Sequence, residues 1–128
     1  MIGKNQSGTK SVGPLKIKGN VGIIETTLRA IRAGLDRGAV NFHFALRGNK
    51  MKVRCYIEGR WQVVAHIERR VSMSIVSRLK IMGNLSIAEK RMIQTGTISS
   101  SERHPPFLVV AVPTDNGMED IYLSKRTM

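Results

Sequence analysis

The sequence predicts a single α+β domain, a mainly antiparallel sheet of five or six strands with two main helices. Three observations carry this. Two segments repeat apolar residues at helical spacing, three consecutive segments repeat them at every second residue across tight turns, and shorter apolar or alternating runs close the chain. At 128 residues and 41% hydrophobic content, the chain has the size of one domain and enough apolar material for a core without disulfides.

From the N-terminus, Met1 to Gly13 mixes Gly, Ser, Lys, Asn and Gln with little to bury, so residues 1–20 are read as a flexible basic tail and 21–128 as the domain. Ile24, Leu28, Ile31 and Leu35 then fall on one helical stripe, with Glu25/Arg29 and Arg32/Asp36 as ion pairs and Gly38 as the stop. Val40, Phe42, Phe44 and Leu46 alternate with Asn41, His43 and Ala45. After Arg47-Gly48-Asn49-Lys50 the alternation resumes at Met51, Val53, Cys55 and Ile57, the pattern of a hairpin. A second tight turn, Glu58-Gly59, leads into a third strand at about Arg60 to Ala65. Val71, Ile75, Leu79 and Met82 mark the second helix, ended by Gly83-Asn84, with Ser74, Ser77, Arg78 and Lys80 off the apolar stripe. Leu85 to Met92 reads as a short further helical turn. Strands are predicted at about Thr97 to Ser101, Phe107 to Val112 and Asp120 to Ser124, separated by Pro105-Pro106 and Asp115-Asn116-Gly117.

A net charge of +12 sets up a field attractive to nucleic acid, anionic lipid, nucleotide or an acidic protein surface. The single cysteine, Cys55, excludes an internal disulfide, and the N-terminus has no leader-like pattern. No apolar run approaches the roughly 20 residues of a membrane span. A cytoplasmic protein is expected, peripheral at the inner membrane only through partners.

Chemistry finds little support. Gly3 to Ser11 looks like a phosphate-binding loop with one residue too many before its lysine, and Gly13-Pro14 forbids the helix that should follow. His43, His66, His104 and Cys55 have no metal-ligand spacing, and alternation puts His43 and Cys55 on opposite faces. Nothing resembles a nucleophilic triad, so no catalytic residue, metal or cofactor is expected. Lys52, Arg54, Tyr56, Arg60 and Gln62 would make a basic sheet face with one aromatic ring, few for a surface that stacks bases.

One stretch is more specific. Val76-Ser77-Arg78-Leu79-Lys80-Ile81-Met82-Gly83-Asn84-Leu85-Ser86-Ile87-Ala88-Glu89-Lys90-Arg91 closely resembles the VSR-(I/V)-K-VM-x-x-L-D-IAEKR segment of type II secretion and type IV pilus assembly ATPases. Arg37 to Phe44, Val53 to Gly59 and Val109 to Leu123 match further family segments in the same order. The resemblance runs from about Ile23 to Leu123 and points to the small domain that precedes the motor. It implies a PAS-like fold, packing on the motor of a neighbouring subunit in a hexamer, and arginines directed at nucleotide. The family's P-Q-D-G-R stands here as Ile93-Gln94-Thr95-Gly96-Thr97, Leu108 replaces another arginine, and Arg54 is followed two residues on by Tyr56. Neither Thr nor Leu can donate to phosphate as a guanidinium does. No Walker A or Walker B motif occurs, so the chain is expected not to hydrolyse ATP.

Three readings follow: a non-catalytic adaptor or regulator of a secretion or pilus ATPase or its inner-membrane platform protein, a domain of a longer ATPase, or a basic nucleic-acid-binding protein. Self-association is compatible with the first two. Arg54, Tyr56 and Arg60 on an exposed sheet face, with Arg78, Lys80, Lys90 and Arg91 around the second helix, are the expected partner-binding residues. Phe107 to Val112 is apolar on both faces, and such a strand is usually covered on both, by the domain's own helices or by a partner.

Overall fold

Strand alternation sets the architecture. In a computed structural model, which describes residues 13–17 and 22–127, β2 (Asn41–Arg47), β3 (Lys50–Ile57) and β4 (Arg60–Glu68) form an antiparallel meander. Glu58 (φ 52°) and Gly59 (φ 85°) make the second turn, the mirror-image type whose twist suits a two-residue hairpin, and so fix Ile57 opposite Arg60. α2 (Arg69–Met82) follows β4 directly. The chain returns through β5 (Gln94–Ile98), β6 (Phe107–Pro113) and β7 (Glu119–Lys125), and β7 pairs with β2 at the middle of the sheet.

The α+β class and the two main helices are as predicted, but among the described residues the sheet has seven strands. β1 (Leu15–Ile17) pairs in parallel with β4 at one edge, giving the order β1-β4-β3-β2-β7-β6-β5. These three residues fall in the segment read as tail. Ile17 is 4% exposed and joins the core, which a short apolar triplet does not reveal before its partner strand is in place. The phosphate-loop-like segment lies outside the described residues. Leu85 to Met92 forms no helix. Its bends are held by Gln94, whose Oε1 accepts from Ser86 N (2.9 Å) and whose Nε2 donates to Ser86 O (3.0 Å), and Gln94 thereby opens β5 earlier than predicted.

Both described helices cover one face. α1 (Ile23–Leu35) buries Thr26, Thr27, Ala30, Ile31 and Gly34, a stripe rotated from the predicted one, and leaves Ile24 53% exposed. Small residues decide this. A Cβ at Gly34 would run into the Phe42 ring and Cys55 Sγ, so the helix lies close against β2 and β3 along its small side chains. α2 ends with Asn84 in the left-handed region (φ 61°); Asn84 N–H donates to Ile81 O (3.0 Å) and Leu85 N–H to Lys80 O (2.8 Å), a double closure that satisfies two terminal carbonyls. Gly83 has a different task, because a Cβ there would strike Val109 Cγ1. No described helix is long and apolar enough to cross a membrane.

Candidate functional site

The face of the sheet away from the described helices carries one candidate site. On β6, Phe107, Val109 and Ala111 are buried beneath the helices, whereas Leu108, Val110 and Val112 point to the open side and stay half-buried with no helix over them among the described residues. The described helices therefore cover this strand on one face and not, as the sequence suggests, on both.

Across the open side runs a row of rings. Tyr56 on β3 meets Trp61 on β4 edge-to-face at 5.6 Å, and Trp61 lies 6.3 Å from the His43 imidazole on β2. His43 in turn stacks on Tyr122 of β7, with centroids 4.3 Å apart and planes 3° from parallel. Arg54 places its guanidinium 5.4 Å from the Trp61 ring centre. Beneath the row, His43 Nε2 is 2.8 Å from Asp120 Oδ2, and Arg47 donates to both Asp120 oxygens at 3.1 and 2.9 Å. Burial would raise the Asp120 pKa, but the hydrogen bonds from Arg47 and His43 outweigh it and hold the carboxyl below its ordinary value. Tyr56, Trp61 and Tyr122 remain 42%, 40% and 37% exposed.

A β-bulge builds the other half of this surface. Between Val53/Ala65 and Arg54/Val63 the register shifts by one, with Val64 as the extra residue. Trp61 and Val63 therefore face the open side while Ala65 and Ile67 face the helices, and His66 turns outward in register with Lys16 and Lys52. Burial, then the charges of Lys50, Lys52 and Lys16, push the His66 pKa down.

Of the sequence-predicted partner residues, Arg54 and Tyr56 lie on this face. Arg60 does not, because its pairing with Ile57 turns it to the helix side at the hairpin end, and Gln62 likewise points inward to accept from Arg37 (2.7 Å). Arg78 is half-buried on α2, Lys90 and Arg91 sit in the loop after it, and these three are not gathered with Arg54 and Tyr56. Lys80 is no surface residue at all. At 1% exposed, its ammonium donates to both Glu119 oxygens at 2.9 Å and to Glu89 O at 2.7 Å, because it continues the inward row of Ser72 and Val76 at spacing four. Within the Ala88-Glu89-Lys90-Arg91 motif, Glu89 thus has a structural role, its carboxylate also accepting from Arg91 N at 2.7 Å. Trp61, His43 and Tyr122 were missed. The two-residue Glu58-Gly59 turn was the available signal for Trp61, since it alone puts Trp61 opposite Tyr56.

Among the described residues no group of three or more His, Cys, Asp and Glu could hold a metal ion. Cys55 is buried and its thiol pushed up to about 12 by desolvation, against the weaker opposing charge of Arg37, so it is a core side chain and no nucleophile.

A second surface lies over the helices. Ile24 of α1 with Met73 and Ile81 of α2, exposed by 53%, 43% and 53%, line a shallow groove of about 400 Å³ beside Arg78.

The chain is 31% identical over 70 residues to the type IV pilus assembly ATPase TfpB of Acinetobacter baylyi, covering 55% of this chain and 12% of that protein. It is 26% identical over 95 residues to the protein transport protein HofB homolog of Escherichia coli, covering 73% of this chain and 21% of the relative. The type II secretion system ATPase E of Vibrio cholerae is 32% identical over 77 residues, 60% of this chain and 15% of the relative. The chain therefore corresponds to a small part of each of these relatives. Residues 17–124, nearly the whole of the described fold, match the family described as type II/IV secretion system protein, and the chain belongs to that family.

Proposed function

We propose that this domain is a non-catalytic interaction module of a type II secretion or type IV pilus system, docking through the α1/α2 groove on an ATPase subunit of the kind its relatives are named for. The observation that carries the reading is the cluster of exposed Ile24, Met73 and Ile81 around Arg78. Apolar side chains gathered at the surface with a cation beside them suit a protein partner, whereas isolated ones would need no explanation. The replacement of nucleotide-directed arginines by Leu108 and Thr97 supports recognition over phosphate chemistry. The same reading holds whether the domain works as a separate adaptor or regulator or as the pre-motor portion of a longer ATPase. On either view it acts on the cytoplasmic side, brought to the inner membrane by its partners.

The test is co-purification of the 128-residue chain with the purified secretion or pilus ATPase of the same genome, followed by size-exclusion chromatography. A complex that Ile81→Asp abolishes is the expected result. Elution of the unaltered chain alone, with the ATPase present in excess, would overturn the proposal.

A further inference from the structure

We infer that the open sheet face binds single-stranded nucleic acid, with about two or three bases stacked on Tyr56, Trp61 and Tyr122 and the intervening phosphates held by Lys16, Lys52 and Arg54. This goes beyond the docking role of the helix groove and does not rest on it.

Every Tyr and Trp of the chain is in the row, and each keeps more than a third of its surface in water. Tyr122 is fixed in place before any ligand arrives, because it stacks on His43, which Asp120 and Arg47 anchor in turn. Such preorganisation removes the ordering cost of a loose ring. The cations are positioned by register: Lys16, His66 and Lys52 stand side by side on β1, β4 and β3, and Arg54 lies two residues further along β3 over Trp61. Asp120, the carboxylate beneath the row, is already paired with Arg47. Among the described residues Lys16, Lys52 and Arg54 form no ion pair, so their charge is available to an anion. An acidic peptide would satisfy these cations but leave the ring faces unused. Unpaired bases satisfy both, and a duplex keeps its π-faces hidden inside the stack.

Trp61 is the single tryptophan, so its own emission reports what happens on this face. The full chain is titrated at low salt with fluorescein-labelled oligo(dT) of about 20 nucleotides, reading anisotropy, and with the same oligonucleotide unlabelled, reading Trp61 emission. Saturable binding with quenched emission is expected, with a matched duplex at least about tenfold weaker. Trp61→Ala should weaken oligonucleotide binding by roughly fivefold or more, while Trp61→Phe retains most of it. Three phosphate contacts correspond to a slope of about −2 in log K against log salt. Absence of binding would overturn the inference, as would equal affinity for duplex with no effect of Trp61→Ala and Tyr122→Ala. A polyglutamate peptide that binds more tightly than the oligonucleotide would assign the face to an acidic protein instead. Ile81→Asp should leave oligonucleotide affinity unchanged, so failure of the groove proposal and failure of this one are separable.

Discussion

The two faces of the sheet treat their aromatic residues in opposite ways. Phe42, Phe44 and Phe107 are fully buried under the helices, whereas Tyr56, Trp61 and Tyr122 stand 37–42% exposed on the other side. Phenylalanine has nothing to lose by leaving water; tyrosine and tryptophan carry a polar tip that must find a partner when buried. Polar groups divide along the same line. On the helix side the Lys80–Glu119 pair is sealed at 1% exposure, and on the open side Asp120 is bound by Arg47, which is itself 54% exposed. One face is thus organised for stability and the other leaves its chemistry in reach of a ligand.

Substitutions on each face can break or sharpen this contrast. Lys80→Met, leaving Glu119 buried without its partner, should cost about 3–5 kcal/mol in urea unfolding, and a combined Lys80→Met/Glu119→Leu variant should recover most of it. If Trp61→Ala cost as much, the division of labour would be wrong; it should cost less than about 1 kcal/mol. Gly34→Ala comes next, because its methyl group meets the Phe42 ring and Cys55 Sγ and forces α1 outward, at about 1–3 kcal/mol by the same measurement. Asp120 follows, with a smaller cost than the two helix-side substitutions. Its pKa is depressed in the folded state, so its contribution is fully present above the ordinary carboxylate value of about 3.9 and is lost as pH falls through the lower folded-state value. Asp120→Asn should therefore lower stability at pH 7 by about 1–2 kcal/mol and flatten the loss of stability between about pH 5 and 2, read by urea titrations across that range.

Much of the architecture is already written in local pattern. The alternation from Asn41 to Ile57, the helical spacing of Val71, Ile75 and Leu79, and the turn at Glu58-Gly59 each encode an element through contacts between near neighbours, which periodicity reports directly. The family, too, was legible, through the run from Val76 to Arg91. What local pattern could not hold is every feature that depends on a distant strand. β1 exists because β4 offers it an edge, Lys80 turns inward because Glu119 waits on β7 39 residues away, and α1 settles on Gly34 because β2 and β3 approach it. The open face is the fullest case. Only the bulge at Val64, an interruption in pairing that alternation cannot see, sends His66 outward beside Lys16 and Lys52 while Ala65 and Ile67 turn into the core. A side chain's spacing along one strand determines which of two sides it takes, but only the register of the neighbouring strands decides which rings and charges it joins there.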